Sequence, residues 1–426
     1  MTDALAHTPA SDGLAEEFLL ELERRTLDDP GVTRDAYGDG EAAGHALLAE
    51  FAARLELPVT VDHGGNMYAK LQGTSSEKAA WVIGSHLDSV PHGGNFDGAA
   101  GIAAGLAAIA NIKRRFDRPE RSVVLMAIRA EESTWFPASY IGSRAAFGLI
   151  GADELELPRK DTGRTLATHM LGAGLSPAKL MQDCPFLSPS AIRGFIEVHI
   201  EQGPTLILED TPIAVVTAIA GSFRHREAVI RGAYGHSGAV ARRHRHDAVF
   251  AFADLVSAID LVWAELDASA EAATITFGEV GTDPQLHAFS KIPGELRFSL
   301  DVRSGCARTL DHISQALGRI CREIEGRRGV RFDLGPLTGS TPAVLSTELQ
   351  EALHAYARRR GIACLSLPSG AGHDAAVFAQ QGVPTAMVFV RNDNGSHNPD
   401  EAMRFDDLDC AIAVLTDLVS ERQASD

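Results

Sequence analysis

The chain has 426 residues, 45% of them hydrophobic, and carries 39 Lys and Arg against 57 Asp and Glu, a formal charge of −18. At roughly 150 residues per domain the length predicts two or three domains, and the apolar share suffices for an ordinary core. The acidity argues against a nucleic-acid or anionic-membrane surface, which selects for basic residues, and no apolar run approaches the ~20 residues of a transmembrane helix. Met1–Gly13 lacks the basic and apolar regions of a signal peptide. Cys184, Cys306, Cys321, Cys364 and Cys410 are odd in number and form no Cys-x-x-Cys pair, which argues against a disulfide framework and a thiolate metal site. A cytoplasmic, reducing location is expected.

In chain order, residues 10–28 predict an amphipathic helix through Leu14, Phe18, Leu19, Leu22 and Thr26. A second helix, about 41–55, leads into the strand pair LPVTVDHGG and NMYAKLQG. WVIGSHLDSV then predicts an apolar strand, FDGAAGIAAGLAAIANIKRRF a small-residue helix, and RSVVLMAIRAEE another apolar strand. Strand, helix and strand at this spacing make a βαβ unit, hence a parallel sheet with a right-handed crossover. A break near Ala218–Ser222 starts a new series: strand 223–232, helix 247–266, strand 272–280, strand 295–303, helix 307–327, strand 330–334. This β-α-β-β-α-β order predicts a small ferredoxin-like domain. After Gly335-Pro336 the βα pattern resumes with helix 347–360, the loop LPSGAGHDA, the strand TAMVFV and a helix near 406–422. The expected fold is α/β: a mixed, mainly parallel sheet flanked by helices (1–218 and 338–426), with the ferredoxin-like domain (219–337) inserted.

Chemistry in such sheets gathers beyond the carboxyl ends of the strands. There stand His86 and Asp88, two apart, where a carboxylate can orient an imidazole by taking its other N–H. Asp97 follows in a Gly-rich turn, which by itself is equally consistent with an ordinary polar loop. Glu131-Glu132 end the neighbouring apolar strand, a costly position for two acids unless a cation neutralises them. One acid can ligate a metal while the other acts as general base. His199 lies in the apolar strand of FIEVHIEQGP and His397 just beyond TAMVFV. A lone strand histidine is more often a core residue than a ligand, but five such elements at strand ends point to a divalent-metal site without Cys. Two metals sharing one carboxylate fit the count.

The segments GSHLDSVP, GGNFDG, Glu131-Glu132, HIEQGP, VVTAIAG, FSLDVR, SGAGHDA and SHNPDE together resemble the hydantoinase/carbamoylase branch of the di-metal aminoacylase/carboxypeptidase superfamily. The resemblance runs from Gly31–Tyr37 to SHNPDEA, nearly the whole chain. It implies a binuclear amidohydrolase acting on a linear amide (an N-carbamoyl or ureido group) of a small carboxylate substrate, with two Zn²⁺ or Mn²⁺ ions, or Co²⁺ or Ni²⁺. It implies a homodimer joined through the inserted lid domain. Asp97 would bridge the metals, Glu132 and His397 would complete one site, and His86 and His199 the other. Asp88 would buttress His86, and Glu131 would be the general base. His236, in GAYGHSGA, would reach across the dimer to the substrate carbonyl. Arg303 would grip the substrate carboxylate, and Gln202, Gly370 and Ala371 would contact substrate.

Three departures bear on the substrate. Ser290 stands where the branch usually has an asparagine that helps hold the carboxylate. The segment after His236 reads AVARRHRH in place of a Thr-Pro pair, and the loop before His397 is one residue short, with Arg391 for a proline. Arg391 and Arg242–His246 are candidates for contacts to a second anionic or aromatic group, with a solvated basic loop as the alternative. An N-acyl-amino-acid amidase on the same scaffold is the competing enzyme reading. A nucleotide-binding α/β protein is disfavoured because no G-x-G-x-x-G follows the first strand, and a non-catalytic binding protein because every expected ligand is present.

Overall fold

The computed structural model describes residues 13–116, 118–182, 185–269 and 271–420. Cys184 and the first residues of the expected helix 10–28 lie outside the described residues. The chain forms two compact units. One contains the residues up to Thr217, Leu345–Leu367 and those from His373 onward; the other contains Ala218–Val344 and Pro368–Gly372.

The first unit is built on a mixed, largely parallel sheet. Its strands lie in the order Val59–Val61, Met67–Leu71, Val123–Ile128, Ala80–His86, Ile192–Ile200, Thr385–Val390 and Ile213–Ile219. The middle four are mutually parallel, with His86 opposite Ile128, Ile83 opposite Ile196 and Phe389 opposite His199. Their near-continuous burial explains the apolar runs in the sequence, since a parallel strand is covered on both faces. All four end on the same side, so the residues that follow them share one rim.

Small residues decide how the helix Ala99–Phe116 meets this sheet. Nearly all of Ala99–Ile112 is buried, and a Cβ on Gly101 would stand 2.1 Å from the Val198 carbonyl oxygen. The helix lies too close to the sheet there for any side chain. Helices Leu14–Thr26 and Phe405–Ser420 complete the layer, burying Phe18, Leu19 and Leu22 from one and Leu408, Ile412 and Leu415 from the other. On this scale each fully buried aliphatic or aromatic side chain contributes roughly 1.5–3 kcal/mol of transfer free energy. No described helix is long and apolar enough to cross a membrane.

The second unit has the element order strand Gly221–Arg231, helix Ala248–Ala268, strand Thr274–Thr276, strand Glu295–Ser304, helix Ala307–Arg328 and strand Arg331–Asp333. Asp247 accepts from the N–H groups of Val249 and Phe250, which fixes the start of the first helix. The expected strand 272–280 is broken: Thr274–Thr276 and Val280–Gly281 are separated by Phe277, Gly278 and Glu279. Thr338–Ser340, expected in the larger domain, continue from Leu337 as one strand, Leu337–Ser340, antiparallel to Gly221–Arg231. That pairing keeps the chain in the second unit as far as Val344.

Candidate metal centre

The rim collects one acid or histidine group from each of the four parallel strands. His86 closes its strand, and the chain runs on through Asp88 to the turn holding Asp97. Glu131 and Glu132 follow Val123–Ile128, His199 lies one residue before the end of Ile192–Ile200, and His397 follows Thr385–Val390 by a short loop. Asp97 is the common member. Its Oδ1 lies 3.5 Å from His86 Nε2 and 3.2 Å from His199 Nε2, while its Oδ2 lies 3.6 Å from His397 Nε2. His397 Nε2 is also 3.0 Å from Glu132 Oε1. Among the described residues, His86–Asp97–His199 and Asp97–Glu132–His397 are two of three clusters able to hold an ion, the third being Glu197–His199–His373, and these two face different oxygens of the same carboxylate.

These spacings fit divalent cations. Ligands at about 2.0–2.2 Å around a tetrahedral ion stand roughly 3.3–3.6 Å from one another, close to the separations seen. The imidazoles are turned correctly as well. His86 Nδ1 bonds the Asp88 carbonyl at 3.0 Å and His199 Nδ1 the Ile200 carbonyl at 2.9 Å. A carbonyl only accepts, so both rings carry hydrogen on Nδ1 and present Nε2 to Asp97. Charge points the same way. Against the cost of burial, Asp88 and Asp97 hold His86 well above the usual histidine range, and Asp97 raises His199. Glu132 raises His397 to about 9. Burial, with Glu132 adding to it, pushes the Glu131 carboxyl well up. Such a cluster attracts positive charge.

Residues 82–421 match peptidase family M20/M25/M40. The chain belongs to that family, in its hydantoinase/carbamoylase branch. It is 32% identical over 394 residues to the N-carbamoyl-L-amino-acid amidohydrolase of Paenarthrobacter aurescens, covering 92% of this chain and 93% of the relative. It is 29% identical over 400 residues to the allantoate amidohydrolase of Bacillus subtilis (strain 168), covering 92% of each. A solved hydantoinase/carbamoylase family amidase from Burkholderia multivorans is 28% identical, with a TM-score of 0.83, covering 95% of this chain and 97% of that one. The M20 family depends on divalent metals, and this member is a hydrolase of non-peptide C–N amide bonds.

The M20 centre rests on carboxylates that the sequence did not single out for this work. Asp88 was expected to buttress His86 from one face of an extended strand. The strand ends at His86; Asp88 Oδ1 stands 3.5 Å from His86 Nδ1, and the same carboxylate also accepts the N–H groups of Glu131 and Glu132, both at 3.0 Å. The Asp88 backbone carbonyl is the nearer acceptor of the His86 hydrogen, at 3.0 Å. Glu401, inside the SHNPDE segment, accepts from the N–H groups of Phe96 and Asp97 at 2.7 and 3.1 Å. Burial and the nearby Asp97 push it up to about 7. Gly98, at φ +67°, lies against His86: a Cβ there would stand 2.5 Å from the ring. Gln202, expected to contact substrate, donates to Asp97 Oδ2 at 3.0 Å, and Ser396 bonds the same oxygen. His373 is buried with its ring 4.6 Å from that of His199, and Glu197 accepts the Ala375 N–H at 2.8 Å. Burial and Glu197 push the neighbouring Asp374 up to about 8.

Apart from Arg391, which belongs to the first unit, the remaining expected residues lie in the second unit. His236 is exposed, and its Nδ1 accepts from the N–H groups of Gly238 (3.1 Å) and Ala239 (3.2 Å), so Nε2 carries the hydrogen. The Ser290 carbonyl accepts from Ser237 at 3.0 Å, which places Ser290 beside the His236 turn. Arg303 binds Asp301 through Nε and Nη2 and donates from Nη1 to the Gly370 carbonyl at 3.2 Å, next to Ala371. Arg391 is not free to meet a substrate. Its guanidinium is spent on Asp407, at 2.8 and 3.0 Å, and on Asp210 at 2.6 Å. In the run Arg242–His246, Arg245 bonds the Ser237 and Val240 carbonyls and His246 that of Arg328, while Arg242–His244 forms an exposed turn.

Proposed function

We propose that this M20 amidohydrolase is a cytoplasmic, binuclear enzyme that cleaves the C–N bond of an N-carbamoyl or ureido group on a small carboxylate-bearing substrate. The observation that carries this reading is the sharing of Asp97 between two donor sets, one oxygen facing each. In it, His86, His199 and Asp97 would hold one ion, and Glu132, His397 and Asp97 the other. A donor set of nitrogen and oxygen without thiolate suits Zn²⁺ or Mn²⁺, and also Co²⁺ or Ni²⁺. The substrate class is supported by the relatives, named for allantoate and N-carbamoyl-L-amino acids.

When bound, such ions polarise the scissile carbonyl and lower the pKa of the attacking water. Glu131 takes that water's proton and returns it to the leaving nitrogen. Asp88 keeps both acids in place through their N–H groups. His236 offers its Nε2–H to the substrate carbonyl oxygen from the partner copy of a homodimer, and Arg303 exchanges its contacts to Asp301 and Gly370 for the substrate carboxylate, a bidentate task that suits guanidinium. Gln202, Ser290, Gly370 and Ala371 are assigned further substrate contacts, as the family resemblance implies. The dimer is supported by apolar residues left in solvent on helix Ala248–Ala268, where Phe250 is 55% and Leu261 67% exposed. The reducing location is supported by Cys306, Cys321, Cys364 and Cys410, which form no disulfide among the described residues.

The test is a panel of carbamoyl, ureido and acyl carboxylates turned over by manganese- and zinc-loaded enzyme. Ammonia and carbon dioxide from the carbamoyl or ureido members are expected. Preferential release of a carboxylic acid from the acyl members would replace this reading with that of an N-acyl-amino-acid amidase.

A further inference from the structure

The turn that presents Glu131 and Glu132 has an unusual backbone. Ala130, fully buried, sits at φ +52°, a left-handed conformation that L side chains disfavour. Non-glycine residues keep such a conformation only where their surroundings over-determine it. Here three consecutive N–H groups are each received by a buried carboxylate. Ala130 donates to Glu41 Oε1 at 2.9 Å, and Glu131 and Glu132 donate to the two oxygens of Asp88. The carbonyls of the same stretch are also taken: Gly142, Ile141 and Tyr140 donate to those of Arg129, Ala130 and Glu131.

Glu41 comes from far away in sequence, the first turn of helix Asp39–Arg54, and is itself fully buried. Its Oε2 accepts from Tyr37 N at 2.7 Å and from Arg129 Nη1 at 2.6 Å. Arg129 in turn donates from Nε to the Gly65 carbonyl at 3.1 Å. Glu41 therefore holds both the residue at which the chain reverses and the one before it. A carboxylate with its charge paired and both oxygens engaged is a rigid stop, whereas a mobile Ala130 would relax out of the left-handed region and carry the two acids with it.

We infer that Glu41 is a positioning residue for the proton-transfer acid Glu131, acting through the strained N–H of Ala130; this rests on the reading of Glu131 as general base. The experiment uses metal-reconstituted full-length enzyme and follows kcat, KM and metal content. Glu41→Gln keeps an acceptor but loses the charge that fixes it between Arg129 and Ala130. It should lower kcat by ~10–100-fold, the range typical of partners that orient a metal site from behind, with KM changed less than about 2-fold. Glycine reaches φ > 0 without penalty, so Ala130→Gly added to Glu41→Gln should restore kcat at least ~3-fold. A general loss of stability would not give that split or that rescue. Should Glu41→Gln not fold, Glu41→Asp, which keeps the charge for Arg129 but is too short for Ala130, carries the same two expectations. Wild-type kcat in the folded variant, or no rescue by glycine, overturns the inference. Glu131→Gln, run alongside, tests the underlying reading separately: if it stays active, that reading fails whatever Glu41 does.

Discussion

The two halves of the metal centre share one carboxylate and little else. On one side of Asp97, the His86 and His199 side chains are 2% and 1% exposed and each is locked by a backbone carbonyl. On the other, the His397 side chain is 47% exposed, and its residue sits at φ +63° in the loop Arg391–His397. The first half is built into strands, the second onto a strand end and a loop. A ligand on a rigid, buried element has little ordering entropy left to lose, so the strand half should bind its ion first and release it last, and the loop half should exchange.

The largest expected effect lies with Glu131, the general base of the proposed function. Glu131→Gln should keep both ions and cut turnover by ~10²–10⁴-fold, the usual reach of general acid–base catalysis. Metal analysis of the purified variant checks it, since loss of ions would make Glu131 a ligand. The ligands should then separate the halves. His86→Ala should lose the buried ion with an affinity drop beyond the ~10–100-fold seen for partners behind a ligand. His397→Ala should lose only the exposed one. Titration of each apo-variant with Zn²⁺ counts the remaining sites, and equal losses in both would erase the asymmetry. Gly98→Ala comes next. Its Cβ would crowd the His86 ring at a backbone angle that alanine resists, so affinity in the buried half alone should fall by about 10-fold.

Much of this contrast could be read from sequence, and the parts that could not share a cause. Apolar runs ending in His86, Glu131-Glu132, His199 and His397 mark a parallel sheet and its rim, because burial on both faces leaves a local signature. The partners of the backbone leave none. Asp88 looks like a histidine's carboxylate because they stand two apart, yet it also receives N–H groups from a neighbouring strand's end. Glu41 in a helix's first turn and Glu401 in a loop look like solvated acids, and both turn inward to hold the backbone. By sequence Arg391 reads as either a substrate contact or part of a solvated loop, and the fold pairs it instead with Asp210 and Asp407. Long-range polar satisfaction is fixed by tertiary placement, and one-dimensional pattern carries no record of it.

The comparison extends to a histidine that has burial without acids. His45 is 3% exposed, like those of the strand half, but neither ring nitrogen has a hydrogen-bond partner among the described residues. Burial, aided by Arg129, pushes it well below the ordinary range, whereas carboxylates push His86 well above it. The sign for stability follows. Folded His45 stays neutral, while in the unfolded chain it gains a proton near pH 6.5. Above that pH it contributes nothing, and below it the unfolded state binds a proton that the native state refuses. Stability should therefore fall with acidification by up to ~1.4 kcal/mol per pH unit until the depressed folded value is reached. Replacing His45→Leu removes this contribution and leaves the metal centre's own titration intact. Urea midpoints of the two proteins should thus draw apart as pH drops from about 7.5 to 5.5, the leucine variant losing less. Parallel curves would mean that His45 takes up its proton in the folded state, and that burial by itself does not distinguish it from the histidines of the metal centre.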